Sequence, residues 1–196
     1  LRDNKTGNII VSQDVKNNYD TYGNDKYAFA YAMLGYDASF GWTAPEQGCE
    51  IGIGTGRIAT KVAPYCMNLT GIDISPKTIE RAKENLKEHK NISFVCDDFN
   101  VYEFSETFDV IYSSLTMMHF EHKSQVIAKI SNLLNDDGIF CLSIDKNQSE
   151  YIDTGTRKLK VYPDTLDNIT SLIEATTMSI KRVIEIENAY IIVCKK

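Results

Sequence analysis

Three glycines at alternating positions, Gly52, Gly54 and Gly56, constrain this chain more than any other feature. They follow a short β-prone lead, Cys49 to Ile53, and precede a helix-compatible run from Arg57 to Tyr65. A glycine turn between a strand and a helix lets the backbone pass close to a ligand and aims helix N-terminal N–H groups at it. A second apolar run, Leu69 to Ile72, ends on Asp73. An acid at the tip of the second strand is placed to accept hydrogen bonds from the two hydroxyls of a ribose. Strand, glycine turn, helix, strand and acid together describe a nucleoside-cofactor site.

Downstream, strands and helices continue to alternate. Ser75-Pro76 reads as an N-cap followed by proline at the first helical position, opening a helix from Lys77 to His89 with Ile79, Ala82 and Leu86 facing inward. Ile92 to Cys96 reads as a strand ending on Asp97-Asp98, and Val110 to Ser113 as a buried strand. A helix from Lys123 to Leu134 is closed by Asn135-Asp136-Asp137-Gly138, a turn with positive φ expected at the glycine. Ile139 to Ile144 is a continuous apolar strand, and Lys146 to Asp164 a polar, irregular insertion or short strand. Asp164 or Thr165 caps a helix running to Thr177. Ile180–Glu187 and Tyr190–Cys194 then form a hairpin.

Composition narrows the function classes. A chain of 196 residues fits one domain with a substantial core. A net charge of −6 argues against a general nucleic-acid binder, which needs a basic face for phosphates. No run approaches the roughly 18 apolar residues of a membrane helix. The five cysteines follow no C-x-x-C spacing and read as reduced core residues of a cytoplasmic protein. The chain begins at Leu1 rather than Met, so the absence of a targeting segment is provisional.

The glycine spacing differs from the dinucleotide fingerprint G-x-G-x-x-G, which suits a pyrophosphate. The E-x-G-x-G-x-G arrangement beginning at Glu50 resembles motif I of the class I S-adenosylmethionine (SAM)-dependent methyltransferases. Phe94 to Phe99, F-V-C-D-D-F, resembles the third motif of that family, and Phe108 to Phe120 the fourth. Leu133 to Asp145 resembles its fifth strand and approach. The likeness covers Cys49 to Asp145 well and the flanks poorly.

The resemblance implies a fold and a site. The fold is a three-layer αβα sandwich with a Rossmann-like, mostly parallel seven-stranded sheet and one antiparallel strand near the C-terminus. Residues 1–47 would form an N-terminal helical cap and lead, 48–145 the SAM-binding core, and 146–196 a substrate-side segment with the terminal hairpin, all in one domain. Glu50, Gly52, Ile53, Gly54, Thr55 and Gly56 would shape the methionine side of the site. Asp73 and Ile74 would hold the ribose end; Asp97, with Asp98 and Phe99 after it, would meet adenine. Carbonyls around Ser113, Ser114 and Leu115 would approach the SAM amino group, and Tyr19, with Asp20, would cap the cleft.

Methyl transfer from a sulfonium needs alignment more than a conspicuous catalytic motif. For a hydroxyl or ammonium acceptor, His119 is the candidate base, although it can equally shape the pocket. The expected partner is a small-molecule methyl acceptor, with no nucleic acid, membrane or metal, and the chain acting as monomer or homodimer. The Asn/Asp-Pro-Pro-Tyr/Phe motif, a Pro-Cys nucleophile and G-x-S-x-G are all absent. Two competing readings are an NAD-dependent oxidoreductase and a non-catalytic protein that binds SAM or S-adenosylhomocysteine (SAH).

Overall fold

The two apolar runs flanking the glycine turn become neighbouring parallel strands. β1 (Gln47–Ile51) pairs with β2 (Asn68–Asp73) from Gln47 opposite Asn68 to Ile51 opposite Ile72. The computed structural model describes residues 45–196, so the cap expected around Tyr19 and Asp20 lies outside the described residues. Between β1 and β2 runs α1 (Ala59–Val62). Beyond β2 follow α2 (Pro76–Asn85), β3 (Ile92–Cys96), β4 (Phe108–Ser114), α3 (Lys123–Leu133) and β5 (Leu134–Asp145). The C-terminal part contributes β6 (Tyr151–Asp153), β7 (Lys158–Lys160), α4 (Leu166–Glu174), β8 (Ser179–Glu185) and β9 (Ala189–Lys195).

One seven-stranded sheet runs in the order β3-β2-β1-β4-β5-β9-β8. Its first five strands are mutually parallel, and β9 alone runs against them, pairing antiparallel with both β5 and β8. The chain steps outward from β1 to β2 and β3, then returns to place β4 on the other side of β1. That reversal opens a crevice beyond the C-terminal ends of β1 and β4, where open α/β sheets bind ligands.

The alternation of side chains along the strands fills two cores. On one face Ile51, Ile111, Phe140 and Leu142 pack against Ile127 and Ile130 of α3 and Ile169 and Ile173 of α4. On the other, Val110, Tyr112 and Cys141 pack against Val62 of α1 and Ile79 and Ala82 of α2. Each fully buried aliphatic side chain contributes about 1.5–3 kcal/mol. The three layers and the single antiparallel strand agree with the expected architecture.

Local departures have local causes. The run after the glycines is helical only over Ala59–Val62 and tightens into a 3₁₀ turn at Ala63–Tyr65, because Pro64 has no N–H to extend the α-helical ladder. Helix α2 starts where expected, with the Ser75 hydroxyl accepting from the Thr78 N–H at 3.3 Å, and ends at Asn85 rather than His89. The expected turn at 135–138 is an irregular start of β5: Phe108 faces Leu134, whereas Val110 already faces Ile139. Positive φ falls on Asp137 (64°), not on Gly138. Aspartate tolerates that conformation; Gly138 is pressed against the Asn135 carbonyl, where a Cβ would lie 2.7 Å from the oxygen. Thr165, not Asp164, caps α4. The polar insertion forms a separate two-stranded hairpin, β6–β7.

Candidate functional site

The glycine loop is fixed by backbone bonds to the end of β2. The N–H groups of Gly52 and Ile53 both donate to the Ile72 carbonyl, at 2.8 and 3.1 Å. All three motif glycines have positive φ, at 72°, 57° and 83°, which explains why glycine occupies each position. Their surroundings differ. A Cβ on Gly52 would overlap the Thr116 side chain, and one on Gly56 would overlap Leu86. Among the described residues a Cβ on Gly54 would meet nothing nearer than the Gly52 carbonyl at 3.9 Å. Gly54 therefore presents bare backbone to open space.

Asp73 closes the loop from the β2 side. Its Oδ2 accepts from the Gly54 N–H at 3.0 Å and its Oδ1 from the Ser75 N–H at 2.9 Å. A carboxylate offers about four acceptor sites, so each oxygen keeps capacity for a ligand hydroxyl. Ile74, next in sequence, is 69% exposed and offers an apolar surface beside it. Ile53 points the other way: its side chain is buried and covers Gly71, where a Cβ would overlap it. Thr55 is exposed, and its carbonyl accepts from the Asn85 amide at 2.9 Å.

Glu50 is buried, with 2% of its surface exposed. It accepts a hydrogen bond from the Tyr112 hydroxyl at 3.0 Å and another from the backbone of Ala59 at the start of α1. Burial pushes its pKa up to about 8, against the lowering effect of those bonds. It ties β1, β4 and α1 together behind the glycine loop.

The β3 tip presents Asp97, exposed, with its Oδ1 accepting from the Asp98 N–H at 2.7 Å. Asp98 turns the chain by accepting from the backbone and side-chain amides of Asn100. Phe99 is a core residue, its ring against Phe104 and Phe120. At the β4 tip, Ser113 is fully buried and its hydroxyl has no partner among the described residues. The Ser114 hydroxyl meets that of Ser143 at 3.2 Å, and the Ser114 carbonyl accepts from Thr116. Leu115 takes a positive φ of 52°, uncommon for a branched side chain, and its N–H donates to Ser143. The strained turn delivers His119 to the rim of the crevice. Partial burial lowers the His119 pKa below the ordinary histidine value, with Asp73 pulling the other way.

Beside His119 lies a cavity of about 350 Å³, between the loop after β4, the end of β5 and the β6–β7 hairpin. The Tyr162 N–H donates to the Met118 carbonyl at 2.8 Å, stitching the hairpin's exit to that loop. Asp164 lines the cavity and pairs with the buried Lys123, Nζ to Oδ1 3.2 Å. Lys123 also donates to the carbonyls of Phe120 and Tyr162. Sequence reading missed Asp145 and Asp164 as cavity residues. Asp145 carried the same signal as Asp73, an acid ending an apolar strand; Asp164 carried none, because its partner is distant in sequence. Among the described residues no group of three His, Cys, Asp or Glu is placed to hold a metal, and no helix is long and apolar enough to cross a membrane.

The bare Gly54 backbone, the strand-tip carboxylate of Asp73 and the exposed Ile74 fit a nucleoside carrying an amino-acid tail, and the cradle contains a space that a Cβ would fill. Fold comparison gives the class of architecture. The chain superposes on a SAM-dependent methyltransferase from Clostridium acetobutylicum with a TM-score of 0.74 at 11% identity, covering 93% of this chain and 96% of that one. It also superposes on the N-methyltransferase NodS from Bradyrhizobium japonicum, solved with SAH, with a TM-score of 0.64 at 16% identity, covering 88% and 99%. The fold is that of the class I SAM-dependent methyltransferases. Residues 49–142, just under half of the chain, match the family model described as a methyltransferase domain. A malonyl-[acyl-carrier protein] O-methyltransferase from Bacillus anthracis is 30% identical over 128 residues, 64% of this chain and 47% of the relative. The chain spans about half the length of the curated relatives it matches.

Proposed function

We propose that the protein transfers a methyl group from SAM to a small-molecule acceptor. The observation that carries this reading is the glycine loop, in which Gly54, alone of its three glycines, meets no close neighbour among the described residues while its N–H is held by Asp73. When bound, SAM supplies an activated methyl group on sulfur. The chain's own residues hold and orient. Gly52, Gly54 and Gly56 shape the amino-acid side, Asp73 accepts from the ribose, Ile74 covers the adenosine, and Asp97 accepts from the adenine amine, with the Asp98 and Phe99 backbone following it. Ser113, Ser114 and Leu115 border the methionine end. Glu50, Ile53 and Thr55 act on the loop from behind or beside it. His119, unprotonated near neutral pH, accepts a proton from the acceptor group. The domain is read as a single unit, cytoplasmic, acting as monomer or homodimer.

Calorimetric titration with SAM, SAH and NAD in parallel tests the reading. Binding of both SAM-type ligands without NAD is expected. Binding of NAD alone would move the protein to hydride chemistry. Binding of SAH without methyl transfer to any acceptor would leave a non-catalytic binder.

A further inference from the structure

The cavity beside His119 carries a charge pattern that restricts what it can accept. Its walls include Leu115, Met118 and Ile152, which are apolar, and Asp145 and Asp164, which are acidic. Among the described residues, no lysine or arginine lines it. The nearest cations along the chain are committed elsewhere. Lys146 binds Glu185 and the Ile186 carbonyl and lies over the Tyr190 ring. Lys123 pairs with Asp164 Oδ1 at 3.2 Å and also donates to two carbonyls, so the charge of Asp164 is already compensated.

Asp145 is in a different position. It ends β5 at the crevice, its Oδ1 accepts only from the Asn147 N–H at 2.8 Å, and it has no ion pair among the described residues. His119 is held toward its neutral form by partial burial and does not offset that charge. Among the described residues the cavity thus has one carboxylate without a counter-ion, a second paired with Lys123, and apolar walls of a size for a compact ligand. A carboxylate entering it would meet uncompensated negative charge. An ammonium group would meet a charge-assisted acceptor.

We infer that the methyl acceptor is an amine on a compact, partly apolar body, oriented by Asp145. This rests on the proposed function and names its substrate class. The amine binds as its ammonium form and loses one proton to His119 or water, which exposes the lone pair. That pair forms the new N–CH₃ bond while the electrons of the S–CH₃ bond stay on sulfur. The positive charge moves from sulfur to nitrogen.

The test is binding, not turnover. The full chain loaded with SAH is titrated at neutral pH with 2-phenylethylamine, 2-phenylethanol and 3-phenylpropionate, which share one carbon frame. The amine is expected to bind at least about 10-fold more tightly than the other two. Asp145→Asn should erase the difference, whereas Asp136→Asn, an exposed acid at the opposite end of β5, should keep it. Equal or tighter binding of the carboxylate or alcohol, no binding of the amine, or an unchanged preference in Asp145→Asn overturns the inference. If SAH itself does not bind while the amine preference stands, the proposed function fails and the amine site does not.

Discussion

The carboxylate of Asp73 holds the backbone of Gly54, Oδ2 accepting its N–H at 3.0 Å, across the gap between the second strand and the glycine loop. A residue read from sequence as a ribose ligand is therefore also a strut of the loop. Because Oδ1 accepts from Ser75, the same side chain sets the entry to α2.

Asp73→Ala should accordingly show two losses. Nucleoside affinity should fall by about 1.5–3 kcal/mol through lost charge-assisted hydrogen bonds. Thermal stability should fall as well, by about 1 kcal/mol, because two backbone donors lose their partner. Calorimetry with SAH and a melting curve separate the effects. Unchanged affinity in a folded variant would remove Asp73 from the site.

The three motif glycines should separate by function. Gly54→Ala imposes the left-handed penalty of about 1–2 kcal/mol but clashes with no atom of the described residues. Its methyl group would stand in the cradle, so SAH affinity should drop by more than about 10-fold in a protein that still folds. Gly52→Ala adds a clash with Thr116 to a similar φ, and should be the less stable of the two. Equal melting temperatures with equal affinities would show that the cradle is not where the cofactor lies.

Glu50 makes stability depend on pH in an unusual direction. Its folded pKa is raised to about 8, so the folded chain binds more protons than the unfolded one between its ordinary value of 4.5 and that point. Its stabilisation is fully present below pH 4.5 and is lost as the pH rises through 8. Glu50→Gln keeps an oxygen for the Tyr112 hydroxyl and cannot ionise. The variant should be more stable than the native chain at alkaline pH, by on the order of 1–3 kcal/mol, and the gap should close on acidification. Denaturant titrations across this range would show it; parallel curves for the two proteins would refute it.

The succession of strands along the chain and the tip positions of Asp73 and Asp97 were legible because each depends on local pattern: an apolar run, a turn and an acid. Asp137 shows where pattern failed. A glycine stood next to it, but Asp137 took the positive φ, while Gly138 lies where a Cβ would press on the Asn135 carbonyl, a contact that local pattern does not show. Glu50 shows a second limit. Its place in the motif was readable, but its hydrogen bond from Tyr112 on β4 was not, because that partner is distant in sequence. The Lys123–Asp164 pair and the cavity above it were invisible for the same reason: they arise where the β6–β7 hairpin folds back onto the loop after β4.

His119 should reveal its role through pH. Its folded pKa lies below the ordinary histidine value of 6.5, so its contribution to stability is present above 6.5 and is lost as the pH falls through the folded value. If it accepts a proton during methyl transfer, kcat should fall on the same acid limb. His119→Ala should then lower kcat by about 10²-fold or more while leaving SAH affinity nearly unchanged. His119→Asn separates chemistry from shape, because it retains a polar side chain of comparable bulk but cannot act as a base near neutral pH. A rate near that of the native chain in His119→Asn, with the acid limb intact, would assign the histidine to the wall of the pocket and leave proton removal to water.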